Sequence, residues 1–378
     1  MIDVRRAAGT AVVLLALVLA GCGGGTPVTG SSTRSPTTTS TTPTSTSVRT
    51  PTAPPTGSAP DLPRGDVSPI HDPALIVSRG VWYVFSTGYV GREQGGTIRI
   101  ASSHDQGRTW TAAGSVWDRI PAWIDRHYAD RGATLPDNLW APEIVEHDGT
   151  FYLYYSASTF GSNDSITALA TSTTLDPDDP GYRWVDRGAV LSSPVDRLAG
   201  QRNLQLNAID AGVVSDAAGK PYLTVGSFWN GIFLVPISWP SGKPRAGWAA
   251  TAVHLAERPD VEFDPIEAAY VVRHGGYFYL FTSWNFCCRG ADSTYQIAVG
   301  RASSVTGPYR DQDGRALLEG GGTVLLGTEG KRIGAGGQSV FGDTLAYHFY
   351  DGGNAAAPYV PTLGLRAITW TDGWPRVS

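Results

Sequence analysis

Four acidic residues stand at comparable places along this 378-residue chain: Asp72 in His71-Asp72-Pro73, Glu143 in Trp140-Ala141-Pro142-Glu143, Asp210 in Asn207-Ala208-Ile209-Asp210, and Glu267 in Pro265-Ile266-Glu267-Ala268. They precede Gly80, Gly149, Gly219 and Gly276 by 8, 6, 9 and 9 residues. Brought to one place by a repeating fold, they repel one another and lose solvation, which raises at least one pKa. Such a cluster adds nothing to stability and so points to chemistry. The structural alternative is that each accepts a hydrogen bond from a strand-end amide. Opposed carboxyls of unlike environment suit cleavage of a glycosidic bond: one acid protonates the leaving oxygen while another activates water or attacks the sugar. A third carboxylate nearby holds the acid's pKa up and fixes its orientation.

The elements that must position these acids are visible as a repeat. RGVWYVFST (79–87), DGTFYLYYSAS (148–158), AGKPYLTVGS (218–227), HGGYFYLFTSW (274–284) and GDTLAYHFYD (342–351) each set a glycine before an aromatic and aliphatic run. Anchored on Gly80, Gly149, Gly219, Gly276 and Gly342, the period is 69, 70, 57 and 66 residues, which signals a repeat architecture. A second apolar run precedes each copy, so each reads as a β-hairpin. Five hairpins, each in a unit with room for about four strands, predict an all-β fold, a five-bladed β-propeller. Its blades start near Ile70, Leu139, Asn207, Pro265 and Gly334. The acids then enter the innermost strands, placing an active site at the central axis.

Composition bounds the partners and the compartment. Hydrophobic residues make up 41 %, with 12 Trp and 16 Tyr, enough for a large core. A net charge of −5 argues against nucleic acid or an anionic membrane surface as the main partner. Arg5 and Arg6 precede AVVLLALVLA (11–20), too short for a comfortable membrane span. The stretch ends in Leu19-Ala20-Gly21-Cys22, which resembles a bacterial lipobox. Residues 1–22 are therefore expected to be a lipoprotein signal, with Cys22 lipidated and the protein anchored on the outer-facing surface of the membrane. An ordinary secretory signal is the alternative. Residues 23–65, rich in Thr, Ser, Pro and Gly, have little to bury and are expected to form a flexible tether. A monomeric domain is expected over 66–378. The adjacent Cys287 and Cys288 match no zinc-ligand spacing and leave two states open, a vicinal disulfide or two free thiols.

Two further segments bear on the site. Ser103-His104-Asp105-Gln106-Gly107-Arg108-Thr109-Trp110 resembles the Asp-box turn between outer propeller strands, a support of the fold rather than a reacting group. The insert 111–138 between the first two blades carries Trp123, which either stacks on a sugar ring or packs.

Asn207-Ala-Ile-Asp210, Ile266-Glu267-Ala, Ser283-Trp-Asn-Phe-Cys-Cys-Arg-Gly290 and His71-Asp72-Pro73 together resemble glycoside hydrolase family 43, in particular its arabinan-cleaving members. Trp140-Ala-Pro-Glu143, Gly336-Gly-Gln338 and Tyr347-His348-Phe-Tyr-Asp351 agree, so the resemblance spans 70 to about 370. It implies an inverting hydrolase with Asp72 as general base, Asp210 as pKa modulator and Glu267 as general acid. It also implies sugar contacts from His71, Trp140, Asn207, Ser227 and Trp123, and a hydrated cation, commonly calcium, near His348. One imidazole is a poor calcium site, because calcium prefers oxygen ligands; the alternative is a histidine hydrogen-bonded in the channel. Inversion requires base and acid carboxyls roughly 6.5–9.5 Å apart. The chain departs from the family pattern at Glu143, where Asp is usual, and at Ala211 and Ala269, where arabinanases commonly carry Pro. The leading expectation is endo-action on α-1,5-arabinan. An exo-acting α-L-arabinofuranosidase or a β-xylosidase is the near rival, and a non-catalytic carbohydrate-binding lipoprotein is the rival from another class.

Overall fold

The computed structural model describes residues 62–378 except Asp196, Arg202, Ala356 and Ala357. The apolar N-terminal stretch, Cys22 and the segment through residue 61 lie outside the described residues.

Each predicted hairpin forms the two inner strands of a separate antiparallel sheet, and there are five such sheets. Blade 1 runs Ala74–Ser78, Val81–Ser86, Arg99–Ser103 and Thr109–Ser115 from the axis outward. Blade 2 is Trp140–His147, Thr150–Ala157, Ser165–Ser172 and Val185–Ser193. Blade 3 is Gly212–Ser215, Pro221–Val225, Ile232–Ser238 and Val253–Ala256. Blade 4 is Ile266–His274, Tyr277–Trp284, Gln296–Ala302 and Thr323–Leu326. Blade 5 is Arg332–Phe341, Thr344–Asp351, Pro361–Thr371 and Trp374–Val377. Three hairpins turn on two residues of positive φ, Arg79-Gly80, Asp148-Gly149 and Gly275-Gly276, the backbone that matches the right-handed strand twist.

The second strands are largely buried because both faces are covered. Thr150–Ala157 is buried from Phe151 onward, and Tyr277–Trp284 from Phe278. The apolar core is accordingly divided into five clusters, one in each space between neighbouring blades. The predicted Asp-box behaves as fold support: Asp105 Oδ1 accepts the N–H groups of Arg108 (3.1 Å) and Thr109 (2.8 Å), and buried Trp110 donates its indole N–H to Gly107 O.

Two predicted boundaries move. The insert begins after Ser115, because Thr109–Ser115 is the outer strand of blade 1; its helix, Ala122–Ala129, buries Ile124 and Tyr128 between blades 1 and 2. Leu62 to Gly65, expected in the tether, belong to the domain. Arg64–Gly65 pairs in parallel with Thr109–Trp110, Pro63 is buried, and Leu62 packs on the apolar cluster shared by blades 4 and 5. Among the described residues no helix is long and apolar enough to cross a membrane.

Candidate active site

Five residues of positive φ mark the mouth of the axis: Asp72 (52°), Ala141 (41°), Asp210 (59°), Ala268 (52°) and Gly337 (58°). With the residues that follow them, Pro73, Pro142, Ala211, Ala269 and Gln338, they line a cavity on the axis. Left-handed backbone costs a non-glycine residue roughly 1–2 kcal/mol, so something must hold it. Here side chains on the second strand of the preceding blade hold the turned amides. Ala141 N–H donates to Thr87 Oγ1 (3.0 Å), Asp210 N–H to Ser156 Oγ (3.2 Å), Gly337 N–H to Ser283 Oγ (3.0 Å) and Asp72 N–H to His348 Nδ1 (3.2 Å). Blade 3 breaks the series. Its corresponding residue is Gly226, where a Cβ would stand 2.1 Å from Gly231 O, so no side chain fits. Asp210 takes over, and its Oδ2 accepts the Ala268 N–H at 3.1 Å.

This belt corrects the expected alignment of four equivalent acids. Asp72 and Asp210 share one structural position. Glu267 comes one residue before the equivalent Ala268, and Glu143 two residues after Ala141. The same pairing irregularity lies between Trp140 and Glu143 and between Glu267 and Tyr270, so Glu267 stands just before it in blade 4 and Glu143 just after it in blade 2.

Asp72 and Glu267 end in opposite electrostatic states. Burial pushes the Asp72 carboxyl up, but His71, by charge and hydrogen bond, then His348 and the Thr87 hydroxyl outweigh it and hold Asp72 at about 2. His71 Nδ1 stands 2.7 Å from Asp72 Oδ2, and Thr87 donates to the same oxygen at 2.7 Å. For Glu267 burial wins: it and the charge of Asp72 raise the pKa against hydrogen bonds from Ser227 and Tyr295. Ser227 donates to Oε2 at 2.6 Å and Tyr295 to Oε1 at 2.7 Å. Burial, then Glu267 and Asp72, raise Asp210 well above the carboxylate range, against the Ala268 amide. Tyr295 feels all three acids, which add to burial in raising its hydroxyl, so the acids meet around one buried phenol.

Glu143 lines the same cavity but is 2 % exposed; burial lifts it to about 8 although Val213 N–H reaches its Oε1 at 3.2 Å. His348 is buried on the axis and its pKa is lowered by burial and by His71; its Nε2 is buried without a hydrogen-bond partner.

The other predicted contacts divide. Ser227 reaches the site as the partner of Glu267. His71 is there too, but its ring nitrogens face Asp72 and Tyr350 (3.1 Å), so its hydrogen bonds are spent on protein. Trp140 stands half-buried beside Ala141 and donates its indole N–H to Asn138 Oδ1 at 2.7 Å. Asn207 is 3 % exposed and its Oδ1 accepts the Ser165 hydroxyl at 2.7 Å, an interblade bond. Trp123 is not brought to the axis: its indole N–H goes to Asp186 Oδ2 (2.6 Å) on the outer strand of blade 2, and its ring packs on the blade 1–2 cluster. Cys287 and Cys288 form a disulfide beside His71. Thr87 and Tyr295 were not singled out by the sequence, and Gln338 and Tyr350 stood there only within the strings that carry the resemblance; Thr87 was reachable, as it ends the first repeat.

The family model described as Glycosyl hydrolases family 43 matches residues 68–375. An extracellular exo-α-(1→5)-L-arabinofuranosidase of Cellvibrio japonicus is 36 % identical over 320 residues, covering 82 % of this chain and 86 % of that one. An extracellular endo-α-(1→5)-L-arabinanase of Bacillus subtilis is 36 % identical over 307 residues, covering 81 % and 87 %. Among solved structures, an endo-arabinanase of Bacillus licheniformis superposes with a TM-score of 0.71 at 36 % identity, over 83 % of this chain and 99 % of that one.

Proposed function

The chain belongs to glycosyl hydrolases family 43, and from that premise we propose that it cleaves α-1,5-linked arabinofuranosyl chains with inversion, acting within the chain. The observation that carries this is the contrast within one cavity between Asp72, held ionised at about 2, and Glu267, whose pKa is raised. Asp72, the general base, takes a proton from a water that attacks the anomeric carbon. Glu267, the general acid, gives its proton to the leaving oxygen as the C–O bond breaks. Bulk water then restores both groups. Asp210 acts as modulator in two ways: buried beside Glu267, the two carboxyls oppose each other's ionisation, and its Oδ2 accepts the N–H of the peptide that follows Glu267.

His348 offers a buried Nε2 without a partner, which fits a ligand atom of one hydrated cation such as calcium. Ligation through Nε2 would move the ring proton to Nδ1, where it would face Asp72 Oδ1 (3.7 Å) in place of the hydrogen bond from the Asp72 amide, and water would complete the shell. Such an ion would supply a positive field beneath the acids. Calorimetric titration of calcium into wild type and His348→Ala checks this: heat of binding in the first and none in the second is expected.

The relatives' extracellular character supports export. The Arg5-Arg6, apolar run and Leu19-Ala20-Gly21-Cys22 order supports lipid anchoring at Cys22 of a monomer. Labelled palmitate should enter wild type and not Cys22→Ser.

Reducing-sugar release from linear debranched arabinan, beside xylan, tests the activity. Wild type should release oligosaccharides of several lengths from arabinan, and Glu267→Gln almost none. Release of one short product only would establish the exo reading, which the Cellvibrio japonicus relative favours. Tight binding without cleavage would overturn both.

A further inference from the structure

Tyr350 belongs to the Tyr347-His348-Phe349-Tyr350-Asp351 string, yet the reaction above leaves it no task. Its hydroxyl oxygen accepts the backbone N–H of Cys288 at 2.7 Å and stands 3.1 Å from Nε2 of His71. An amide nitrogen only donates, and Ser293, which also hydrogen-bonds the phenol, accepts Arg289 N–H and gives its own hydrogen to the phenol oxygen, so the single phenolic hydrogen goes to Nε2. Nε2 is then the acceptor of the neutral imidazole, and the ring proton sits on Nδ1, facing Oδ2 of Asp72 at 2.7 Å. Protonation of the ring leaves that Nδ1–H in place. Thr87 donates to the same Oδ2, which leaves Oδ1 for the attacking water. The far end of the arm is fixed as well: Cys288 is tied to Cys287 by the disulfide, and the following amide, Arg289 N–H, donates to Ser293 Oγ at 3.0 Å.

We propose that Tyr350, held by the Cys287–Cys288 turn, is a positioning residue for the general base, setting the tautomer and plane of His71 and through it the orientation of Asp72. This rests on the reading of Asp72 as the base. The base acts on the water whatever the leaving group, so its misplacement costs the same on every substrate. Loss of the acid, by contrast, spares substrates with good leaving groups.

Kinetics of Tyr350→Phe on linear arabinan and on an aryl arabino-oligoside test the proposal. The variant should lose kcat about tenfold or more on both substrates, with KM within about twofold and the melting temperature close to wild type. Dithiothreitol should lower kcat of wild type and leave Tyr350→Phe unchanged, because both perturbations break one arm. An unchanged kcat, a loss confined to arabinan, or equal fractional losses on reduction would each overturn it. If Tyr350→Phe melts well below wild type, insensitivity of wild-type kcat to reduction overturns it instead. Asp72→Asn separates the two readings: normal turnover in that variant sinks the base assignment itself, whereas an inactive Asp72→Asn beside a fully active Tyr350→Phe sinks only the positioning role.

Discussion

At the scale of single residues, Glu267 is the point where opposing forces nearly cancel. Two hydroxyls stabilise its ionised form, while burial and the charge of Asp72 oppose it. Removing one hydroxyl, as in Tyr295→Phe, leaves burial less opposed and raises the acid's pKa. Glu267 then keeps its proton to higher pH, and the alkaline limb of kcat/KM should move up. Asp210 and Glu267 oppose each other's ionisation, so Asp210→Asn leaves Glu267 to lose its proton without that opposition, and the alkaline limb should move down. Profiles of kcat/KM against pH on one arabino-oligosaccharide check both; shifts in the same direction would refute this account of the pair. Glu143 supplies a stability effect of known sign. Its pKa is 4.5 in the free side chain and about 8 in the fold, so the folded state holds a proton that the unfolded state releases. That contribution is complete below about 4.5 and is lost as pH rises through about 8. Glu143→Gln keeps an acceptor for Val213 N–H and carries no titration. Its melting temperature should gain on wild type steadily across that window, and a constant difference would show that Glu143 does not titrate there.

At the scale of elements, the left-handed residue opening each inner strand decides what each blade can contribute. Blades 1 and 3 place aspartates there, blades 2 and 4 alanines, and blade 5 a glycine. The glycine is required by the chemistry next to it. A Cβ on Gly337 would stand 2.5 Å from Asp72 Oδ1 and 2.7 Å from His348 Nδ1. Gly337→Ala should therefore displace Asp72 and lower kcat by about tenfold or more, with a melting temperature lower by a few degrees, since alanine takes the left-handed backbone at a cost of about 1–2 kcal/mol and buried His348 must shift. A steep fall in stability with normal kcat would reverse that attribution. Much of this was legible in the chain. The hairpin anchors, the five-blade count and an acid near the start of four blades follow from a period that two-stranded turns impose on sequence, whereas the roles proposed for Asp72, Asp210 and Glu267 came from the resemblance. Seven residues beyond Gly80, Gly149, Gly219 and Gly276 stand Thr87, Ser156, Gly226 and Ser283, and six beyond Gly342 stands His348, so even the belt had a register. Glu267 and Glu143 stand 9 and 6 residues before their anchors where Asp72, Ala141 and Ala268 stand 8, but which residue turns left-handed was not legible, because an irregular pairing carries no compositional mark. Tyr295 and Tyr350 escaped for another reason: a tyrosine in an apolar propeller reads as core until its hydroxyl's partner is known. Trp123 misled in the opposite direction, since a helix in a loop carries it to an outer strand.

At the scale of the molecule, Asp72 and Glu267, the proposed base and acid, are 195 residues apart in sequence (267 minus 72) and open blades 1 and 4. Their separation is set by how the ring closes. No strand is shared across the closure: blade 5 comes wholly from the C-terminal end, and blade 1 begins near the start of the described chain. The seam is held by packing and by a few hydrogen bonds. Ser339 donates to Pro73 O at 2.7 Å and accepts Leu75 N–H at 3.0 Å, while Ile70 N–H reaches Pro361 O and Leu363 N–H reaches Val67 O. Pro73 is the residue after the base, so the seam and the reaction share a peptide. Ser339→Ala leaves a buried amide and a buried carbonyl unpaired, at a cost of about 1–3 kcal/mol for the site. The melting temperature should fall by a few degrees. Thr167→Val is the matched control, because Thr167 donates to Ala208 O at 2.7 Å across the blade 2–3 space. Both variants should melt lower by similar amounts, but Ser339→Ala should lose more kcat, since only its seam carries Asp72. Equal kcat in the two variants would mean that the outer contacts along 67–70 and 361–363 hold the base in place without Ser339, and that ring closure is stiffer than its inner hydrogen bonds imply.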